Sequence, residues 1–117
     1  MAYMLLIMEP VGQRRERSEE EGRVLYEQML RFGENLKARG LLKASESLQS
    51  AAEGVRVHVR GGKRTLIDGP FAEAKEIVGG FFLLDCATKA EAIAIASECP
   101  AAAWATVEVR EIGPCYD

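Results

Sequence analysis

A chain of 117 residues with 48% hydrophobic content supplies one folded domain, taken as residues 1–117, and leaves no material for a second. Its 15 basic and 18 acidic side chains give a net charge of −3, which leaves no excess of positive charge to neutralise phosphates and argues against nucleic-acid binding. No apolar run approaches the roughly 20 residues needed to span a bilayer, so a helical membrane protein is excluded.

Tyr3 to Met8 is apolar on both faces and closes at Glu9-Pro10, the pattern of a central strand leaving its sheet. The run Ala2 to Met8 is too short for a secretory signal, and cytoplasmic residence is the default expectation. Residues 10–17 are polar and rich in arginine. Arg14, Arg15 and Arg17 are followed directly by Glu19, Glu20 and Glu21, which reads as a solvated helix entrance rather than a phosphate site. Ser18 and Glu21 have the spacing of a capping box and predict a helix start. Leu25, Met29, Phe32 and Leu36 then recur at spacings of four, three and four along one face, up to the stop at Arg39-Gly40.

Leu41 to Leu48 follows the helix closely enough to be an antiparallel return strand. Val55 to Arg60 alternates apolar and polar residues, and with the glycine turn at Gly61-Gly62-Lys63 and the run Arg64 to Ile67 it predicts a hairpin. That hairpin delivers the segment Asp68-Gly69-Pro70-Phe71-Ala72-Glu73-Ala74-Lys75-Glu76. Asp, Gly and Pro form turns for separate reasons: a carboxylate that accepts backbone N–H bonds, tolerance of positive φ, and a fixed φ. Gly79 to Asp85 reads as a buried strand, and Thr88 to Glu91 as a second capping box, opening a helix through Cys99 that Pro100 ends. Ala105 to Ile112 alternates as the last strand, and Gly113 to Asp117 is a tail.

This order predicts an α+β domain of ferredoxin-like βαββαβ plan with an inserted hairpin, its two helices covering one face of an antiparallel sheet. The other face carries the apolar residues of the first and the Phe81 to Leu84 strands. A homodimer packed sheet against sheet is therefore expected, as a dimeric α+β barrel.

Candidate chemistry centres on the Asp68 loop. Asp68 reads either as an acid or base whose pKa desolvation would raise, or as an Asx-type turn whose carboxylate serves backbone donors. Gly69, Pro70, Phe71, Glu73 and Lys75 are the candidate ligand-binding neighbours. His58 alternates with valines on the face of Arg56 and Arg60, which suits an exposed histidine. Cys86, Cys99 and Cys115 are odd in number and lack zinc spacing, Cys86 and Cys99 reading as buried apolar side chains. Ser45 and Ser47 have no nucleophile-elbow context. Glu108 and Arg110 read as members of a cross-strand ion pair or as a site for a ligand acid group. The sequence points to no metal and no cofactor.

The string Asp68 to Glu76, with Gly79-Gly80-Phe81, Ala90-Glu91-Ala92, Cys99-Pro100 and Val107 to Arg110, resembles the DGPF subgroup of the YCII-related proteins over essentially the whole chain. The resemblance implies a bacterial protein with a dimeric α+β barrel fold. In the wider family, which includes a dehydrochlorinase, a His and an Asp in a cleft are proposed as an acid/base pair. The Asp corresponds to Asp68. The family's His lies in the first helix, and residues 23–40 contain none here. Proteins of this subgroup also occur beside or fused to alternative sigma factors, which implies a regulatory or stress-linked setting. Two expectations follow: a small organic ligand in a cleft beside the Asp68 loop, with Asp68 as catalytic residue, or a non-catalytic interaction module with a regulatory protein partner.

Overall fold

The computed structural model describes residues 2–71 and 73–116; Ala72 of the loop string and Asp117 of the tail lie outside the described residues. The elements are β1 (Ala2–Pro10), α1 (Glu19–Ala38), β2 (Leu42–Ser47), β3 (Val55–Arg60), β4 (Lys63–Asp68), β5 (Glu76–Asp85), α2 (Lys89–Glu98) and β6 (Thr106–Glu111). Short 3-10 turns lie at Gln13–Glu16, Ala51–Glu53 and Pro100–Ala103. Four strands form an antiparallel sheet in the order β2-β5-β1-β6, and β3 and β4 form a separate hairpin. The fold is thus α+β, a βαββαβ plan with the hairpin inserted before β5.

Burial alternates along β1, with Tyr3, Leu5, Ile7 and Glu9 buried on the side of the helices. Phe82 and Leu84 of β5 join them, and α1 supplies Phe32 and Leu36. Phe32 meets Phe82 edge to face at 5.1 Å between ring centres, a favourable aromatic geometry. Ala92, Ile95 and Ala96 bring α2 onto the same layer. On the opposite face Met4, Leu6, Met8, Phe81 and Leu83 are half-buried and Val78 is exposed, with no helix among the described residues over them.

Both helix starts are capped. Ser18 Oγ accepts from the Glu21 N–H and Glu21 Oε1 accepts from the Ser18 N–H, so the first capping box is complete. These bonds to Ser18 hold the Glu21 carboxyl below its ordinary value of 4.5, with the charge of Arg17 a smaller contribution. A depressed folded-state pKa contributes stability that is full above 4.5 and lost as the pH falls through the lower folded value. Ser18→Ala removes the Oγ that accepts from the Glu21 N–H and is expected to cost about 1 kcal/mol in thermal unfolding at neutral pH, while the backbone N–H that serves the Glu21 carboxylate remains. At α2 the expected box is only half formed. Thr88 Oγ1 accepts from the Glu91 N–H, while Glu91 Oε2 accepts from the Ala87 N–H one residue earlier.

The hairpin turns at Gly61 and Gly62, with φ of 58° and 76°. Positive φ at both central residues is what a two-residue turn matched to strand twist requires. Lys63, expected in the turn, is the first residue of β4. Every β3 and β4 residue is exposed, with Val55, Val57, Val59 and Leu66 on one face and Arg56, His58 and Arg60 on the other. The described part of the molecule measures 46 × 42 × 19 Å, a thin slab.

Candidate functional site

The sheet is most irregular where β1 ends. The register of β1 against β5 passes from Ile7 opposite Gly80 to Met8 opposite Val78, which leaves Gly79 as the extra residue of a bulge. A Cβ at Gly79 would collide with the Glu9 carboxyl group. Glycine here makes room for a carboxylate against the backbone, and Glu9 is buried at 5% exposure, the single charged residue in the core among the described residues.

Arg14 neutralises it. Arg14 Nε donates to both Glu9 oxygens at 3.2 and 3.0 Å, and Nη2 lies 3.0 Å from Oε2. Nη1 donates to the Leu48 carbonyl at 2.8 Å and Nη2 to the Gly79 carbonyl at 3.4 Å. One guanidinium thus ties the end of β1, the chain leaving β2 and the bulge of β5. The expected solvated helix entrance is corrected here: Arg15 is exposed, but Arg14 and Arg17 turn inward. The Arg17 guanidinium lies over the Trp104 ring at 4.6 Å from its centre, a cation–π stack. Gln13 Nε2 donates to the Trp104 carbonyl, fixing the turn before α1 against the turn before β6. Buried Arg17 Nη2, Trp104 Nε1 and Gln13 Oε1 have no hydrogen-bond partner among the described residues.

These groups stand at one end of a cleft of 990 Å³ between α1 and the β2–β5 side of the sheet. Glu9, Arg14, Arg17 and Trp104 line that end, and Leu25, Met29, Leu42 and Phe82 are among its apolar lining. The volume is that of a small-molecule site, and an apolar wall with a few convergent polar groups is the usual composition of one.

The Asp68 loop lies outside this lining. It begins at the last residue of β4 and returns to the sheet beside β1, where the Val11 N–H donates to the Lys75 carbonyl at 3.0 Å. The loop and the charged end of the cleft therefore share one end of the sheet. Asp68 is exposed, and among the described residues its carboxylate accepts no hydrogen bond. Gly69 and Pro70 follow it, the Gly69 N–H donating to the Gly54 carbonyl at 2.8 Å. A Cβ at Gly69 would collide with the Ala51 carbonyl, so only glycine fits that approach. Phe71 packs on Gly54 and under the Arg56 guanidinium, 3.9 Å from its ring centre. Glu73 and Lys75 are exposed. The loop is thus braced against the base of the hairpin.

His58 stands on the exposed hairpin, remote in the fold from α1. Glu108 and Arg110 pair with each other along β6 at 3.2 Å rather than across strands. Cys86 and Cys99 are buried and burial pushes both thiols up, while Cys115 is exposed. Among the described residues no group of three or more His, Cys, Asp or Glu is placed to hold a metal, and no helix is long and apolar enough to cross a membrane.

Sequence reasoning missed the Glu9–Arg14 clamp and the Arg17–Trp104 stack. The available signal was Gly79-Gly80, two glycines in a strand, which mark a bulge or a close approach. A search of curated proteins returns no significant match. The family comparison is decisive: residues 1–115 match the model of the YCII-related domain, and the chain belongs to that family.

Proposed function

We propose that this YCII-related protein is a homodimer that binds a small, partly apolar organic molecule in the cleft beneath α1, with Arg14, Arg17 and Glu9 at its polar end. The observation that carries the reading is the cleft itself, with apolar side chains of α1 and β5 along it and the Glu9–Arg14 pair and Arg17 at one end. The Asp68 loop, from Asp68 through Gly69, Pro70, Phe71, Glu73 and Lys75, is the segment proposed to meet the part of a ligand that projects past that end. Asp68 is the carboxylate offered for acid/base work there, since no described group engages it.

The test uses Gly22, a helical residue that lines the cleft with open space where its Cβ would be. Gly22→Leu should place a side chain inside the cleft and obstruct it while improving helix propensity, so stability is expected to hold or rise by about 0.5–1 kcal/mol. Trp104, the sole tryptophan, reports on the site. Titration with the neutral probe N-phenylnaphthylamine should shift Trp104 emission in the parent protein and in Asp68→Asn, and not in Gly22→Leu. Equal binding by Gly22→Leu would sink the cleft.

A second reading is favoured by the bare hairpin. An isolated two-stranded ribbon is marginal in water, and Val55, Val57, Val59 and Leu66 form an exposed apolar stripe on one of its faces. Under this reading the protein is a non-catalytic interaction module with a regulatory partner, and no small molecule shifts Trp104.

A further inference from the structure

At the polar end of the cleft one cation, Arg17, stands without an ionic partner among the described residues. Glu9 and Arg14 neutralise one another through paired hydrogen bonds. Arg17, beside them in the lining, makes no side-chain hydrogen bond or ion pair among the described residues. The carboxylate that feels its charge is Glu21, and that carboxylate is committed to the Ser18 N–H. Arg17 Nη2 and the Trp104 indole N–H are both shut off from water without an acceptor. An unmet buried donor costs about 1–3 kcal/mol, more when charged, and both stacked side chains belong to the cleft lining.

Resting on the cleft reading, we propose that Arg17 and Trp104 form a carboxylate subsite, and that the natural ligand is a small amphipathic carboxylic acid whose apolar body lies along Leu25, Met29 and Phe82. A carboxylate is the acceptor of choice for this pair because it is planar, anionic and able to take two N–H bonds on two oxygens. The stack over Trp104 holds the guanidinium plane in place, so little side-chain freedom is lost on binding. Phosphate monoesters fit less well, since a dianion would meet the Glu9 carboxylate in the same lining with one uncompensated cation to balance it.

The experiment compares matched pairs, phenylbutyrate against phenylbutanamide and octanoate against octanamide, by Trp104 fluorescence and calorimetry. In the parent protein each acid should bind at least about tenfold more tightly than its amide, the discrimination expected of one desolvated charge-assisted pair. Arg17→Gln should abolish the preference while leaving the amides unchanged, and Arg17→Lys should restore part of it. Gly22→Leu should abolish binding of all four. Equal affinity of acids and amides in the parent protein overturns the subsite and leaves the cleft reading intact. A preference that survives Arg17→Gln overturns it too. If none of the four nor N-phenylnaphthylamine binds, the cleft reading falls and the subsite with it.

Discussion

Replacing Arg14 by methionine is expected to destabilise the protein by about 3 kcal/mol in urea unfolding at neutral pH. The Glu9 side chain is 6% exposed and sits in a space made by a missing Cβ, so it cannot swing out to water without disturbing the bulge at Gly79. Breaking a buried ion pair from one side leaves an uncompensated charge, which costs about 3–5 kcal/mol. The lower end applies because Arg14 is 35% exposed and water can enter the vacated position. Methionine keeps much of the aliphatic stem, which separates loss of charge from loss of packing. Arg14 also serves the Leu48 and Gly79 carbonyls, so the variant should loosen the ends of β2 and β5 together. The double variant Glu9→Gln with Arg14→Met should recover part of the loss, because a neutral amide there no longer demands a counter-charge. A loss below about 0.5 kcal/mol for Arg14→Met would be in the range of an ordinary surface change and would remove Arg14 as a clamp.

The elements of this fold are local events, and the sequence displays them. The Ser18 and Glu21 pair, the apolar face from Leu25 to Leu36, the paired glycines at Gly61 and Gly62 and the alternation of β3 each depend on residues within a few positions of one another. Their order then leaves few topologies to choose among, and the observed strand order is the βαββαβ one. The candidate cleft is a different kind of object. It joins α1 to β2, β5 and Trp104, segments that meet through tertiary packing, and no single stretch of sequence contains it. Arg14 and Arg17 carry a further ambiguity: charged residues before a helix are usually solvated, and only the opposite wall, with Glu9 and Gly79 for one and Trp104 for the other, draws them in. Asp68 shows the converse. Its motif is legible because turn chemistry is local, and the same locality explains why the motif reveals a braced loop and not the surface that loop faces.

Leu6→Glu is expected to convert a dimer into folded monomers, seen by light scattering on an eluting column and by sedimentation. Leu6 lies on β1, an interior strand, between Phe81 of β5 and Glu108 of β6, on the face that neither helix covers. Met4, Met8, Phe81, Leu83 and Val78 surround it with apolar surface of the kind that monomers keep small. A charge placed at the centre of such a face is desolvated on association without a partner, and the penalty of several kcal/mol raises the dissociation constant by at least about a hundredfold. The same residue is half-buried in the single chain and points away from Leu5, Phe82 and Leu36, so secondary structure should survive the change. Association through the open face would leave the α1 wall of the cleft free, because α1, Met29 and Phe82 lie on the opposite side of the sheet, with Phe81 the residue common to both surfaces. Leu6→Glu should therefore bind N-phenylnaphthylamine as the parent protein does. Loss of both dimer and probe binding in a folded monomer would instead place the ligand site between the copies, and a parent protein that is monomeric at every concentration would turn the open face into a surface for another protein.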